Sequence, residues 1–310
     1  MKFHFAPVQG HTDAAYRHFH AANYGANSDY YTPFIRLERG SLRNRDIKDF
    51  SSEMNKGIHV IPQIIFRDKD ELSSLMELMK NNGASEIDLN MGCPFPLQTG
   101  HGRGAATVAN QELAKAVEMT VNDNPDITFS VKIRLGLSDP YEWENLLHHL
   151  NNVKLSHLAV HPRVAKQQYG GDLNLTAFKD ILRESKNPVV FNGEIHSPED
   201  IQNIISQFAD IDGIMIGRGL LARPSMIEEF ISGHTMEKNE RLQRMLKFHR
   251  QLLDHYATTL CGDSQILSKI KPFWEYAEEE IGRKQFKAIK KAANMAKYHS
   301  AVASISEILQ

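Results

Sequence analysis

The stretch Glu86-Ile87-Asp88-Leu89-Asn90-Met91-Gly92-Cys93-Pro94 is an apolar, strand-like run that stops abruptly and carries a lone cysteine at its tip. Gly92 lets the backbone approach a ligand closely, and Pro94 biases Cys93 away from helix toward an extended conformation. A cysteine held this way is displayed at a strand end. A lone cysteine used only as a small buried hydrophobe needs no such setting.

Similar apolar runs recur along the chain near His4 to Ala6, Tyr30 to Thr32, Val60 to Ile65, Ser130 to Ile133, His157 to His161, Val189 to Phe191 and Gly213 to Ile216. Each is followed by a stretch of helical periodicity, the pattern of repeated βα units. Helix starts are marked by Thr12-Asp13 before Ala14, by Asp68, by Asn110 and by Ser197-Pro198, because short polar side chains cap the first free amides and proline suits the first helical position. Eight such units predict an α/β fold, a TIM (β/α)8 barrel, over residues 1–235. Ser232-Gly233-His234 breaks the pattern. Residues 236–310 then read as a smaller all-helical domain, with one helix over 238–260 and a final one from Gly282 to Leu309.

The chain has 310 residues, 41% hydrophobic and 24% charged, in the range of soluble globular proteins and long enough for one large and one small domain. No apolar run reaches bilayer-spanning length, and the start has no signal-peptide layout, so a cytoplasmic protein is expected. Its two cysteines, Cys93 and Cys261, give neither a disulfide framework nor metal-ligand spacing, and no metal is expected. Residues 238–310 hold 13 Lys and Arg against 8 Asp and Glu, which leaves that segment at +5 and the remainder at −7. The tail is the part of the chain suited to a polyanion.

In a TIM barrel the active site is built at the C-terminal ends of the strands. The residues found there are Pro7, Val8, Gln9 and Gly10 after the first strand, Gln63 in the third, and Asn90 and Cys93 after the fourth. The fifth carries Lys132 and Arg134, the sixth His161 and Arg163. The seventh ends in Asn192-Gly193-Glu194 and the eighth in Gly217-Arg218-Gly219. The last two loops match the place where such barrels bind phosphate through glycine amides. Lys132 and Arg134 alternate with Val131, Ile133 and Leu135, so both point to one side of a buried strand, where a cation needs a partner. An ion pair with Asp88 and a cofactor anion are the two readings.

These segments resemble the dihydrouridine synthase family, flavoenzymes that reduce uridines in transfer RNA. The resemblance rests on Ala6 to Asp13, Asp88 to Pro94, Val131 to Gly136, His161-Pro162-Arg163 with Tyr169-Gly170-Gly171, Asn192 to Ile195, and Met215 to Gly219, in the family's order. It implies noncovalently bound FMN with its phosphate on Asn192, Gly193, Glu194, Gly217 and Arg218. Pro7, Val8 and Gln9 would lie against the ring, Gln63 and Lys132 would bond its polar edge, and His161 would face it. It further implies NADPH as reductant, hydride transfer from flavin to uracil C6, and Cys93 as general acid toward C5, with Asn90, Arg134 and Arg163 on the substrate.

A target base must leave its stack to reach a barrel mouth, so a surface that grips folded RNA is needed. Arg283, Lys284, Lys287, Lys290 and Lys291 fall at helical spacing and form a basic face, with Phe286, Ile289 and Ala293 on an apolar one. A basic helix face of this kind is also what a plain solvated helix shows; it is the resemblance that implies tRNA as the partner, and a monomer is expected. An FMN barrel acting on a free pyrimidine, similar to dihydroorotate dehydrogenases, is the alternative. The chain departs from the family pattern at Gln9, at Val164 and in the loop Phe95 to Arg103, which is rich in glycine and histidine.

Overall fold

The computed structural model describes residues 1–307. Eight strand positions follow the eight apolar runs: β1 (Lys2–Phe5), β2 (Asp29–Tyr31), β3 (Val60–Ile61 with Gln63–Ile64), β4 (Glu86–Met91), β5 (Thr128–Gly136), β6 (His157–Val164), β7 (Val189–Asn192) and β8 (Gly213–Ile216). All pairings between them are parallel. The sheet runs from the first half of β3 through β2, β1, β8, β7, β6, β5 and β4 to the second half of β3. Its two ends are halves of one strand, so the sheet closes into a barrel through Pro62. Proline has no amide to donate, which interrupts the ladder there, while its carbonyl accepts from Asp88 N at 2.9 Å.

The period of two along each strand sorts the side chains. Phe3, Phe5, Ile87, Leu89, Val131, Ile133, Leu158 and Val160 are buried in the main apolar core between strands and helices. Their alternates fill the barrel. At its N-terminal end the Tyr31 hydroxyl lies 2.9 Å from His4 Nδ1 and 3.0 Å from His157 Nε2, and burial holds the His4 imidazole neutral, down to about 3. Above them Ala6, Tyr31, Ile61, Ala159, Val190 and Met215 make a small separate apolar cluster. The two alanines leave open the space over this floor.

The expected helix starts are present. Asp13 accepts from Tyr16 N at 2.9 Å, Asp68 from Glu71 N at 2.8 Å and Asn110 from Leu113 N at 3.0 Å, while Ser197 forms a reciprocal capping box with Asp200. Each such cap is worth about 1 kcal/mol.

Beyond the barrel, helix Lys238–Thr259 packs against helix Ala14–Tyr24. The Phe248 ring meets Tyr16 at 4.9 Å and Phe273 at 5.1 Å between centroids. Trp274 Nε1 donates to the Tyr298 hydroxyl at 3.1 Å, which also bonds His249 at 2.7 Å. Barrel and helical residues share one apolar core.

The final helix differs from the expectation. It is divided into Arg283–Lys291 and Met295–Ser306, because Asn294 turns extended and its side chain caps Lys297 N at 2.9 Å. Leu309, the expected end, lies outside the described residues. Ala293, expected on the apolar face, falls in this break and is exposed; Ala292 is the buried neighbour. Among the described residues no helix is long and apolar enough to cross a membrane.

Candidate active site

A cavity of about 350 Å³ opens at the C-terminal ends of the strands, within the usual range of small-molecule sites. Ala6 and Met215 of the floor cluster line its base. Pro7, Val8 and Gln9 form the wall after β1, Gln63 projects from β3, and Asn90 and Cys93 come from β4 and its loop. Lys132 and Arg134 enter from β5 and His161 from β6. Asn192, Gly193 and Glu194 follow β7, and Gly217 and Arg218 follow β8. Gly219 sits behind that last loop, where a Cβ would lie 1.9 Å from the Ile195 carbonyl oxygen; only glycine lets the two loops touch.

One wall is a chain of buried amides with a fixed direction. Asp88, fully buried, accepts from Ser130 Oγ at 2.6 Å and from Gln63 Nε2 at 2.7 Å. Gln63 must therefore turn its oxygen toward Asn90, whose Nδ2 donates to it at 2.7 Å. Asn90 Oδ1 then accepts from the backbone amides of Gly92 at 3.1 Å and Cys93 at 3.0 Å. The cysteine is thus held by its own strand. Burial pushes the Cys93 thiol up, while the Phe95 amide and the cations of Arg134 and Lys132 oppose that shift. The net shift is upward, so the group is a protonated thiol near neutral pH.

The wall beside it is cationic, since Lys132 on β5 is the register partner of Asn90 on β4. Lys132 Nζ donates to Asn192 Oδ1 at 2.7 Å, and Asn192 in turn donates to the Met215 carbonyl at 2.7 Å. The lysine thus bonds a neutral side chain and makes no direct hydrogen bond to Asp88. Burial and the neighbouring Arg134 push Lys132 down to about 8, and burial takes Arg134 down to about 10. Burial and those cations also hold His161 well below the usual imidazole range. Its Nε2 is buried without a partner, a costly arrangement unless a ligand supplies one.

Glu194 gathers the rest of this wall. Hydrogen bonds from His196 and Arg163 and the charge of Arg218 hold its carboxyl down at about 2. Its backbone sits at φ 39°, a conformation that non-glycine residues adopt at some cost. Arg163 was expected on the substrate but does not line the cavity. It is buried, bonded to Glu194 and, through Nη2 at 2.6 Å, to the Gly171 carbonyl. It braces the loop that carries Tyr169.

Several lining residues were not anticipated from the sequence. Tyr169 places its ring 4.0 Å from the Arg218 guanidinium and 5.3 Å from that of Arg134. Phe34 and Phe95 complete an aromatic rim, and Glu275 and Tyr276 reach the mouth from the helical segment. His11 Nε2 bonds Glu275 at 2.9 Å and ties that segment to the first loop. Tyr169 lay inside a recognisable motif, whereas nothing local in the sequence marks Tyr276.

Comparison with known proteins agrees with this architecture. The old yellow enzyme from Trypanosoma cruzi superposes with a TM-score of 0.53 at 9% identity, covering 76% of this chain and 89% of that one. Morphinone reductase gives 0.51 at 12% identity over 76% of this chain and 87% of its own. These likenesses establish the barrel fold. A probable tRNA-dihydrouridine synthase 2 of Bacillus subtilis is 28% identical over 82% of this chain and 79% of its own. A probable tRNA-dihydrouridine synthase of Treponema pallidum is 28% identical over 91% and 86%, and tRNA-dihydrouridine synthase B of Shewanella oneidensis 28% over 82% and 78%. The model of the family described as dihydrouridine synthase (Dus) matches residues 4–307, and the chain belongs to that family.

Proposed function

We propose that this protein reduces uridines of tRNA to 5,6-dihydrouridine, with FMN bound noncovalently in the barrel mouth and NADPH as the reductant. The observation that carries the reading is one cavity lined in succession by the buried Cys93 thiol after β4, by Lys132 and Arg134 on the adjacent β5, and by the unpartnered buried His161 Nε2 on β6. FMN, once bound and reduced by NADPH, supplies the hydride that goes to uracil C6.

The residues present fit that cofactor. Gln63 and Lys132 offer hydrogen bonds to the polar edge of a flat ring, His161 offers a free ring nitrogen, and Pro7, Val8 and Gln9 offer a wall to lie against. Gly193, Gly217 and Arg218 meet where a phosphate would sit, with Asn192 and Glu194 shaping that corner. Glu194 is occupied by Arg163, His196 and Arg218, so its role is to hold the arginines rather than to touch an anion. Asn90 and Arg134 orient the uracil. Cys93 donates the proton to C5; the thiolate left behind is favoured by the nearby cations of Arg134 and Lys132 and regains its proton from solvent.

The purified chain with added FMN is expected to show flavin absorbance and quenched flavin fluorescence, and absence of both would end the reading. Cys93→Ala should keep FMN and NADPH oxidation with an artificial acceptor, yet lose dihydrouridine formation by roughly 10²- to 10⁴-fold, the usual contribution of a general acid. Full retention would remove Cys93 from the mechanism. Equal turnover of a free pyrimidine and of tRNA would make the protein a small-molecule enzyme.

A further inference from the structure

The loop that carries Cys93 closes on itself between residues 93 and 105, and its tip gains little from the core. Phe95 and Leu97, its largest apolar side chains, are 53% and 71% exposed. The inward anchor is charged. Arg103 is buried and donates through Nε to Glu71 Oε2 at 3.1 Å and through Nη2 to Glu71 Oε1. Glu71, buried on helix Lys69–Asn81, also accepts from the Arg67 amide at 2.9 Å, which fixes its carboxylate in place.

What Arg103 holds lies next to it in sequence. Gly104, at φ +61°, has no room for a side chain: a Cβ would stand 2.6 Å from the Cys93 carbonyl oxygen and 2.8 Å from Cys93 Cβ. Ala105 N donates to the same carbonyl at 3.1 Å. The segment pinned by the Arg103 to Glu71 pair is therefore the segment packed directly against the backbone and Cβ of Cys93. A guanidinium bonded through two nitrogens fixes direction as well as distance.

We propose that Arg103, acting through Glu71, is a positioning residue for Cys93: the pair keeps the loop closed and the thiol at the cavity wall, where it meets the bound pyrimidine. The functional half rests on the proton-donor reading of Cys93. The structural half does not, because thiol accessibility can be read without substrate.

The test replaces the pair by apolar residues of similar volume, Arg103→Met with Glu71→Leu, since such exchanges often preserve folding while breaking one partner alone does not. A Cys261→Ser background removes the other free thiol, which is exposed. The variant is expected to keep its circular dichroism, FMN absorbance and NADPH oxidation with an artificial acceptor. Cys93 should be alkylated by iodoacetamide about tenfold faster, and kcat on tRNA should fall about tenfold with KM within about twofold, the signature of a lost transition-state contact.

Arg103→Lys keeps the charge but not the fork, and should fall between parent and double variant in both readings; it also serves if the double variant does not fold. An unchanged alkylation rate in whichever variant is folded overturns the inference, whatever the activity. Faster alkylation, in a protein whose Cys93→Ala variant is fully active, would overturn the proton-donor reading and leave the loop anchor standing.

Discussion

At the scale of single residues, the chemistry depends on side chains whose ionisation is set by burial. Lys132 is the sharpest case, because desolvation and Arg134 bring its ammonium down to about 8, inside the range of ordinary buffers. If its charge binds the flavin, FMN affinity should be level up to pH about 7.5 and fall above pH about 8, approaching tenfold per unit as the deprotonated amine loses its attraction. Fluorescence quenching titrations between pH 7 and 9.5 measure this, and Lys132→Met should bind more weakly with no such slope. An identical slope in both would remove Lys132 from the cofactor site. Lys132 was legible in the sequence because period-two alternation on an otherwise apolar strand left it no exposed side. Arg163 obeyed the same alternation, yet its partner Glu194 lies 31 residues onward. No spacing rule could show that the pair would turn it away from the cavity.

At the scale of elements, apolar runs carried most of the barrel. Strands buried on both faces must be rich in Ile, Val, Leu and Phe, and helix starts announce themselves through Asp, Asn and Ser caps. The interruption of β3 at Pro62 and the division of the last helix at Asn294 were less readable, since each depends on which backbone group finds a tertiary partner. The entry to β3 offers an electrostatic test of how the barrel is held together. His59 bonds Asp29 on β2 and Glu86 on β4, both at 2.7 Å, and so bridges two strands that do not pair with each other. The hydrogen bond to Asp29, followed by that to Glu86, raises its imidazole from 6.5 to about 9. A raised folded value means that the stabilisation is complete below the unfolded value of about 6.5 and is lost as pH rises through about 9. The side chain is 49% exposed, and screening should keep the effect under about 1 kcal/mol. Urea midpoints of the parent and of His59→Gln should differ at pH 6 and converge above pH 9. A constant difference across that range would show that the bridge carries no charge-dependent stability.

At the scale of the whole molecule, the helical segment is continuous with the barrel. Tyr16 and Tyr24 of the first helix pack on Phe248, and Phe273 joins them; cutting the chain after residue 235 would expose this cluster, so truncation would report on folding before it reported on RNA. Some of the segment's charge is spent internally: Lys269 pairs with Asp13 at 2.6 Å, and Lys271 Nζ bonds the carbonyls of Lys290 and Ala292 at 2.8 and 3.1 Å. The second of these fixes the end of helix Arg283–Lys291 and with it the direction of the basic face. Arg283, Lys284, Lys287, Lys290 and Lys291 remain exposed on it. We propose that this face grips the tRNA while the remainder of the chain, at −7, admits only the extruded base. Because these residues stand clear of the shared core, reversing them leaves the fold intact. Lys284→Glu, Lys287→Glu and Lys291→Glu together should preserve FMN binding and thermal stability but weaken tRNA binding. The slope of log affinity against log salt should flatten by about 0.7 to 0.9 for each phosphate contact removed. Unchanged affinity with an unchanged salt slope would place the RNA on another surface and leave the basic helix as a solvated face.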